Sequence, residues 1–368
     1  MEQKLNSLGA EAISKQMFED TEIIKKLLNE YLKDSFKIKT VKAIPGGFRA
    51  KAFLISAEKN GERKNLFLKH TIPDLKNYHD NNVEKLASYL LSQQISKEMN
   101  LSPRVLGIFM AENGKIINID SFTDNTIIYQ LQEFQEGQNY LDYLCSSESD
   151  ENFLAENKAI AAKIAKNLAQ IHTKKIDMAE KEKEILYKKS LRNAIINPEL
   201  ALSMIENNIK GSLFEGDFRR EYIGEMLEVN AHFWKNFNRL SLLHGDFWPG
   251  NIALAEAEPF FFDYSRYMYG DSGSDVGHFY LSMVIFSIWR KDKRYFELGE
   301  SFLDAYKKET TDDLITETSV LAFGPTGVVF ILDKFFQGPD MAERKKFADY
   351  IMACLRSKKV IPAGEYFL

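Results

Sequence analysis

The sequence is poor in cysteine, with two in 368 residues. Cys145 and Cys354 cannot build a disulfide framework, and no CxxC pair or Cys/His cluster suggests zinc. The opening MEQKLNSLGAEAISKQ has no basic stretch followed by an apolar one, so no secretory signal is expected. Long apolar runs are missing too. The longest, Phe279 to Trp289, is broken by two serines and is too short for a bilayer, which predicts a buried helix instead. There is no excess of positive charge: the net charge of −5 leaves no footprint for a nucleic-acid partner. A nucleotide ligand stays open, because phosphates are gripped by local groups. Repeats and low-complexity tracts are absent as well. These absences predict a reduced, cytoplasmic, soluble chain with no nucleic-acid or membrane partner. Its composition, 45% hydrophobic and 27% charged, is that of an ordinary globular protein.

What is present is a change of texture along the chain. Residues 10–34 carry apolar side chains at helical spacing, among them Ile24, Leu27, Leu28 and Leu32. From Phe36 the runs FKIKTVKAI, AKAFLISAE and KNLFLKHTI alternate, separated by Pro45-Gly46-Gly47 and Asn60-Gly61. Asn-Gly tolerates positive φ at both positions, so residues 36–72 predict three antiparallel strands. A helix is expected over 81–99, then two more strands around a turn at Asn113-Gly114, the second running through NTIIYQLQEF. Beyond Gly137 the pattern is helical: strongly over 153–172, as a solvated helix face or loop in the charged stretch 174–189, and again over 199–240 and 275–357. A turn is expected at FGPTG, residues 323–327. The fold class implied is α+β. A segment 1–35 leads into a small lobe over 36–136, with an antiparallel sheet and one helix, and a larger, mostly helical lobe over 137–368.

Chemistry concentrates in His244-Gly245-Asp246-Phe247-Trp248-Pro249-Gly250-Asn251, followed by Asp263 at the end of an apolar run. Phosphoryl transfer needs a group that orients a hydroxyl and takes its proton, and a metal that bridges phosphate oxygens. Asp246 at a loop tip suits the first task. Asn251, curving back after a Pro-Gly turn, and Asp263 offer the oxygen donors that hard Mg²⁺ prefers. Turn capping alone accounts for a single Asp or Asn beside Pro-Gly. It does not account for His-x-Asp-x4-Asn flanked by apolar runs with a strand-terminal Asp beyond.

HGDFWPGNI with FFFDY resembles the catalytic and metal segments of the aminoglycoside phosphotransferase and choline kinase superfamily. LAQIH at 168–172 is similar to the helix end before that family's substrate-binding insert, and GDSGSDVG at 270–277 to the segment after its metal aspartate. The resemblance covers roughly 36–290. It implies a two-lobe, protein-kinase-like fold, ATP and Mg²⁺ as cofactors, Asp275 as support for the catalytic loop, and His244 as a brace rather than a base. Lys69, in LFLKH, then corresponds to the strand lysine that holds the α- and β-phosphates, with Glu84 to position it and Glu98 as the rival. Gly46 and Gly47 would cover the phosphates, their backbone N–H groups approaching closely. Arg49 either touches phosphate or acceptor or faces solvent. Glu133 and Phe134 fall where the link between lobes reads adenine, mainly through backbone groups. Tyr78, His79, His70 and His172 have no constellation around them and are assigned structural roles.

The acceptor is less legible. Residues 203–229 carry Glu206, Glu215, Asp217, Glu221, Glu225 and Glu228 against Lys210, Arg219 and Arg220. That acidity suits a cationic acceptor and equally any solvated helix. Phe247, Trp248, Tyr264 and Tyr267 either pack in the core or cage an acceptor. Trp-Pro in the loop is similar to the ketosamine kinase branch. The expectation is a small-molecule kinase for a sugar, aminoglycoside, choline-like alcohol or ketosamine hydroxyl. The alternative is a kinase-like module that binds nucleotide or a partner without turnover. No Asp-Phe-Gly or Ala-Pro-Glu segment supports a protein-phosphorylating variant, and oligomeric state is left open.

Overall fold

The structure is a computed structural model that describes residues 21–33, 35–44, 50–71, 82–123, 126–193, 198–206, 213–214, 216–264, 269–332 and 340–362. Contacts divide the chain into two compact units, Met1–Glu136 and Gly137–Leu368.

In the first unit, helix α1 (Thr21–Leu32) precedes strands β1 (Lys37–Ile44), β2 (Ala50–Lys59) and β3 (Glu62–Thr71). Helix α2 (Asn82–Met99) follows, then β4 (Val105–Glu112), β5 (Lys115–Ile117) and β6 (Ile127–Glu133). The six strands form one sheet in the order β1-β2-β3-β6-β4-β5, and every pairing is antiparallel. Both Asn-Gly pairs turn as the sequence predicts. Asn60 and Gly61 have φ of 53° and 84°, and Asn113 and Gly114 of 50° and 72°. Each closes a two-residue hairpin whose twist matches the strands. The described part of the expected 10–34 helix is α1. It is no separate segment, because Ile24, Leu27, Leu28 and Leu32 pack with Phe53, Ile55, Leu66, Leu68 and Leu131 in one core. Tyr31 stacks on Phe109, which stacks on Tyr129, at centroid distances of 4.5 and 4.8 Å. A Cβ at Gly107 would stand 2.0 Å from the Tyr31 hydroxyl, so this stack requires glycine there.

The second unit opens with β7 (Gln138–Asn139), α3 (Tyr140–Ser146) and α4 (Phe153–His172). Next come α5 (Glu180–Asn193), α6 (Pro198–Glu206) and α7 (Gly216–Lys235). The chemistry-bearing stretch is strand-rich: β8 (Leu240–Leu242), β9 (Ile252–Ala255), β10 (Glu258–Phe261) and β11 (Tyr269–Asp271). These form a three-stranded sheet, β10-β9-β7, and a pair, β11-β8. Helices α8 (Gly273–Arg290), α9 (Lys293–Glu309), α10 (Ile315–Leu321), α11 (Phe323–Leu332) and α12 (Met341–Ser357) complete the unit.

Helix α8 is buried almost all round, from Gly273 to Ser287. Its apolar run therefore belongs to the core, as a helix hydrophobic on every face must. The segment Ile315–Leu332 is also apolar enough to cross a membrane, with mean hydropathy 1.5, and 78% of it is buried inside the unit. The turn expected at FGPTG is a correction. Phe323 to Gly327 begin α11, and the break falls one residue earlier, at Ala322. Pro325 sits in the first helical turn, where a proline gives up no intrahelical hydrogen bond, so the Gly-Pro pair starts a helix instead of interrupting one.

Candidate active site

After β8 the chain leaves the sheet at Leu243 and passes through Gly245 with φ 82°, a left-handed position that glycine occupies without strain. Pro249 to Asn251 then form a single 3₁₀ turn that delivers Asn251 to the start of β9. The indole of Trp248 folds back over this turn. A Cβ at Gly250 would lie 2.3 Å from the indole ring, so only glycine fits beneath it. The turn is also held from β7: Asn139 donates its side-chain amide to the Gly250 carbonyl at 2.8 Å. The Asn139 side-chain oxygen meanwhile caps α3, accepting from Leu141 N–H at 2.9 Å.

Asp246 and Asn251 meet directly. The Asn251 amide nitrogen donates to Asp246 Oδ2 at 3.0 Å and to the Asp246 backbone carbonyl at 2.9 Å. With that nitrogen committed, the carbonyl oxygen of the side chain is the atom Asn251 offers elsewhere. Phe262 N–H donates to the backbone carbonyl of Asn251 at 3.1 Å, which places the next residue, Asp263, beside the same turn. Asp263 has φ 61°, a left-handed conformation uncommon for any residue but glycine, and its side chain is exposed. Its carboxylate and the Asn251 oxygen are hard donors of the kind Mg²⁺ takes. Among the described residues no group of three or more His, Cys, Asp or Glu gathers into a ready-made metal centre.

His244 is fully buried and braces the loop. Its Nε2 lies 2.9 Å from the Phe262 carbonyl, which can only accept, so Nε2 carries the proton. Nδ1 then receives the Asp246 N–H at 3.4 Å. Both nitrogens are engaged in holding the Asp246 segment to the Asp263 segment.

Asp275, in the first turn of α8, holds the loop from the other side. Its carboxylate accepts the backbone N–H groups of His244 at 2.6 Å and Gly245 at 2.9 Å. His172, at the end of α4, reaches the same carboxylate with Nε2 at 3.1 Å and the Tyr306 hydroxyl with Nδ1 at 2.7 Å. Burial opposes ionisation of Asp275, but His172, His244 and the backbone N–H outweigh it and hold the carboxyl below its usual range. His172 thus has a constellation that its sequence context did not reveal. The same holds for His278, one turn beyond Asp275, whose Nδ1 lies 3.9 Å from Asp246 Oδ1. Below the loop, the Arg239 guanidinium joins Asp271, with Nε 2.7 Å from Oδ2, to Asp312, with Nη2 2.7 Å from Oδ2. Tyr187 donates to Asp271 at 3.2 Å, which ties α5 to the β8–β11 pair.

In the first unit Lys69 lies in β3 opposite Ala52 and Gln130 and is half-buried. Glu133 and Phe134 are exposed, and their backbone N–H groups are taken by Arg104 and Asn65 carbonyls at 2.9 and 3.0 Å. Both N–H groups thus already have backbone acceptors within the first unit. Gly46, Gly47 and Arg49 lie outside the described residues, as do Tyr78, His79 and Tyr267, and so does the side chain of Glu84. The acidity of 203–229 is partly neutralised: Glu221 and Glu225 both pair with Arg356, at 2.7 and 3.0 Å.

Comparison with known proteins places this geometry. No curated protein sequence matches the chain. Solved structures share its fold at low identity. The ethanolamine kinase of Plasmodium vivax superposes with a TM-score of 0.52 at 16% identity, covering 91% of this chain and 87% of that one. An amicoumacin kinase solved with AMP-PNP and Ca²⁺ gives 0.54 at 11% identity, covering 92% and 94%. An aminoglycoside phosphotransferase in ternary complex with ADP and hygromycin B gives 0.51 at 13%, covering 90% and 98%. The fold is thus protein-kinase-like, with an antiparallel sheet in the first unit and a helical second unit. The model of the Phosphotransferase enzyme family matches residues 40–314, most of the sequence, and the chain belongs to that family.

Proposed function

We propose that the protein transfers the γ-phosphate of ATP to a hydroxyl of a small molecule, with Asp246 as the base. The observation that carries this reading is the direct bond between Asp246 and Asn251, set beside Asp263 by the Phe262–Asn251 backbone bond. A proton acceptor and two hard oxygen donors on one braced loop are the parts phosphoryl transfer needs. Adenine nucleotides in two of the similar structures support ATP as the donor.

Asp246 orients the acceptor hydroxyl and takes its proton as the oxygen bonds to the γ-phosphorus and the bond to the β–γ bridging oxygen breaks, releasing ADP. The Asn251 side-chain oxygen and the Asp263 carboxylate would hold Mg²⁺, which supplies neutralisation of charge on the phosphate oxygens. Lys69 is assigned to the α- and β-phosphates. His244 keeps the base in register without exchanging protons itself, since both of its nitrogens are engaged. Ethanolamine and aminoglycoside kinases among the similar structures support an amino alcohol or amino sugar acceptor. A reduced compartment such as the cytoplasm suits the two unpaired cysteines, Cys145 and Cys354.

The test is ATP consumption with Mg²⁺ against aminoglycosides, amino alcohols, sugars and ketosamines, with Asp246→Asn as control. Turnover with one class, lost by about 10³-fold or more in the variant, supports the assignment. Near-normal turnover in Asp246→Asn would show that another group is the base. ATP binding without turnover on any acceptor would favour a binding module.

A further inference from the structure

One face of α8 addresses three consecutive residues of the catalytic loop. Asp275 takes the backbone N–H groups of His244 and Gly245. His278 lies three positions further on and so shares that face. Its Nδ1 turns toward the next residue of the loop, 3.9 Å from Asp246 Oδ1. The two carboxylate oxygens of Asp246 are therefore treated differently: Oδ2 accepts the Asn251 amide at 3.0 Å, and Oδ1 faces an imidazole.

That imidazole is neutral at physiological pH. Burial lowers its pKa to about 4, with His244 acting in the same direction and Asp275 opposing. A neutral ring offers an N–H to the base without placing a positive charge beside it. The separation is about 1 Å longer than a hydrogen bond, a gap of the kind that catalytic contacts show before substrate binds and lose in the reacting complex. Because Asp275 and His244 pin the loop backbone, closing the gap falls to the two side chains. The His278 side chain is 12% exposed and that of Asp246 35%, so the carboxylate keeps an open side for a hydroxyl.

We propose that His278 is a positioning residue for the base: its Nδ1–H closes on Asp246 Oδ1 in the reacting complex and, with Asn251 on Oδ2, fixes the plane of the carboxylate. A carboxylate has about four lone-pair sites, so two donors still leave room for the acceptor hydroxyl. This inference rests on Asp246 being the base.

The test compares His278→Leu, which removes the donor, with His278→Asn, whose amide N–H stands near the place of Nδ1. Mg²⁺-ATP hydrolysis is followed on the full chain, water taking the acceptor's place, together with the thermal midpoint. His278→Leu should lower kcat by about tenfold or more with the KM for ATP within about twofold, since a misplaced base slows chemistry without loosening nucleotide. His278→Asn should stay within about threefold of the parent rate. Equal losses in both variants, or a parent-like kcat in His278→Leu, would overturn the inference. A second readout needs no turnover. In ¹⁵N-histidine-labelled protein with Mg²⁺-ATP bound, the His278 Nδ1 resonance should move on Asp246→Asn, and an unmoved resonance would overturn the contact. Inactive Asp246→Asn beside fully active His278→Leu sinks only the role of His278. Active Asp246→Asn sinks the assignment of Asp246 as the base, and with it the premise of this inference.

Discussion

Asn251 donates its side-chain amide to Asp246 Oδ2 at 3.0 Å, so the candidate base and the candidate metal ligand share one hydrogen bond. The two roles cannot be perturbed independently. Asn251→Asp would set a second carboxylate against the first, replacing a donor by an acceptor. We expect kcat to fall by about 10²-fold or more, with weakened Mg²⁺ dependence, in a steady-state titration of the metal. Unchanged kcat with altered Mg²⁺ affinity would mean that the shared bond has no part in setting the base.

The backbone of the loop hangs on Asp275. Asp275→Asn leaves one of the three donors it faces without an acceptor in a fully buried place. The expected cost is about 3 kcal/mol of folding stability, read from urea denaturation at neutral pH. Its ionised form is favoured in the folded state, so this stability is complete above the ordinary carboxylate range and is lost as pH falls through the folded pKa. In Asp275→Asn that part of the acid sensitivity should vanish. A variant as acid-sensitive as the parent would assign it to other carboxylates.

His278 titrates in the opposite sense from a paired histidine. Its folded pKa is pressed to about 4, below the ordinary value of 6.5, because burial disfavours the cation. The unfolded chain therefore binds the proton first. Stability is complete above 6.5 and declines as pH drops toward 4. His278→Asn should flatten this limb in denaturation curves taken between those pH values, and an unaltered limb would show that the imidazole charges freely when folded.

Gly250→Ala should damage the site without touching any polar group. The added methyl would meet the Trp248 ring at 2.3 Å. Either the indole leaves the turn or the turn shifts, and Asn251 shifts with it. We expect a loss of about 1–3 kcal/mol in stability together with reduced turnover. Gly250→Ala combined with Trp248→Ala should recover most of the stability, measured by thermal unfolding.

The parts of the fold that read well are those fixed by neighbours in sequence. Asn60-Gly61 and Asn113-Gly114 announce their hairpins because the positive φ at each position is a local property. The stretch from His244 to Asn251 is local in the same way: one loop carries the candidate base, the turn and one candidate metal ligand. His172 and His278 do not, since their meaning comes from Asp275 and Asp246, which the fold brings to them from 103 and 32 positions away. Only the three-residue step from Asp275 to His278 on a helix was available as a signal. Asn139 is hidden likewise, 111 positions from the carbonyl it holds. FGPTG misleads because Gly-Pro marks a chain break in one context and a helix start in another, and the choice is made by the core around Phe323 and Val328.

The left-handed backbone at Asp263 bears on how such a chain drifts once selection for turnover is relaxed. Few side chains accept φ 61°, and asparagine and glycine do so most readily. Descendants that abandon catalysis would therefore leave through Asn or Gly at this position sooner than through Val or Ile. A lineage in which residue 263 has become glycine while residue 275 stays aspartate would have lost a carboxylate of the candidate site inside an intact fold.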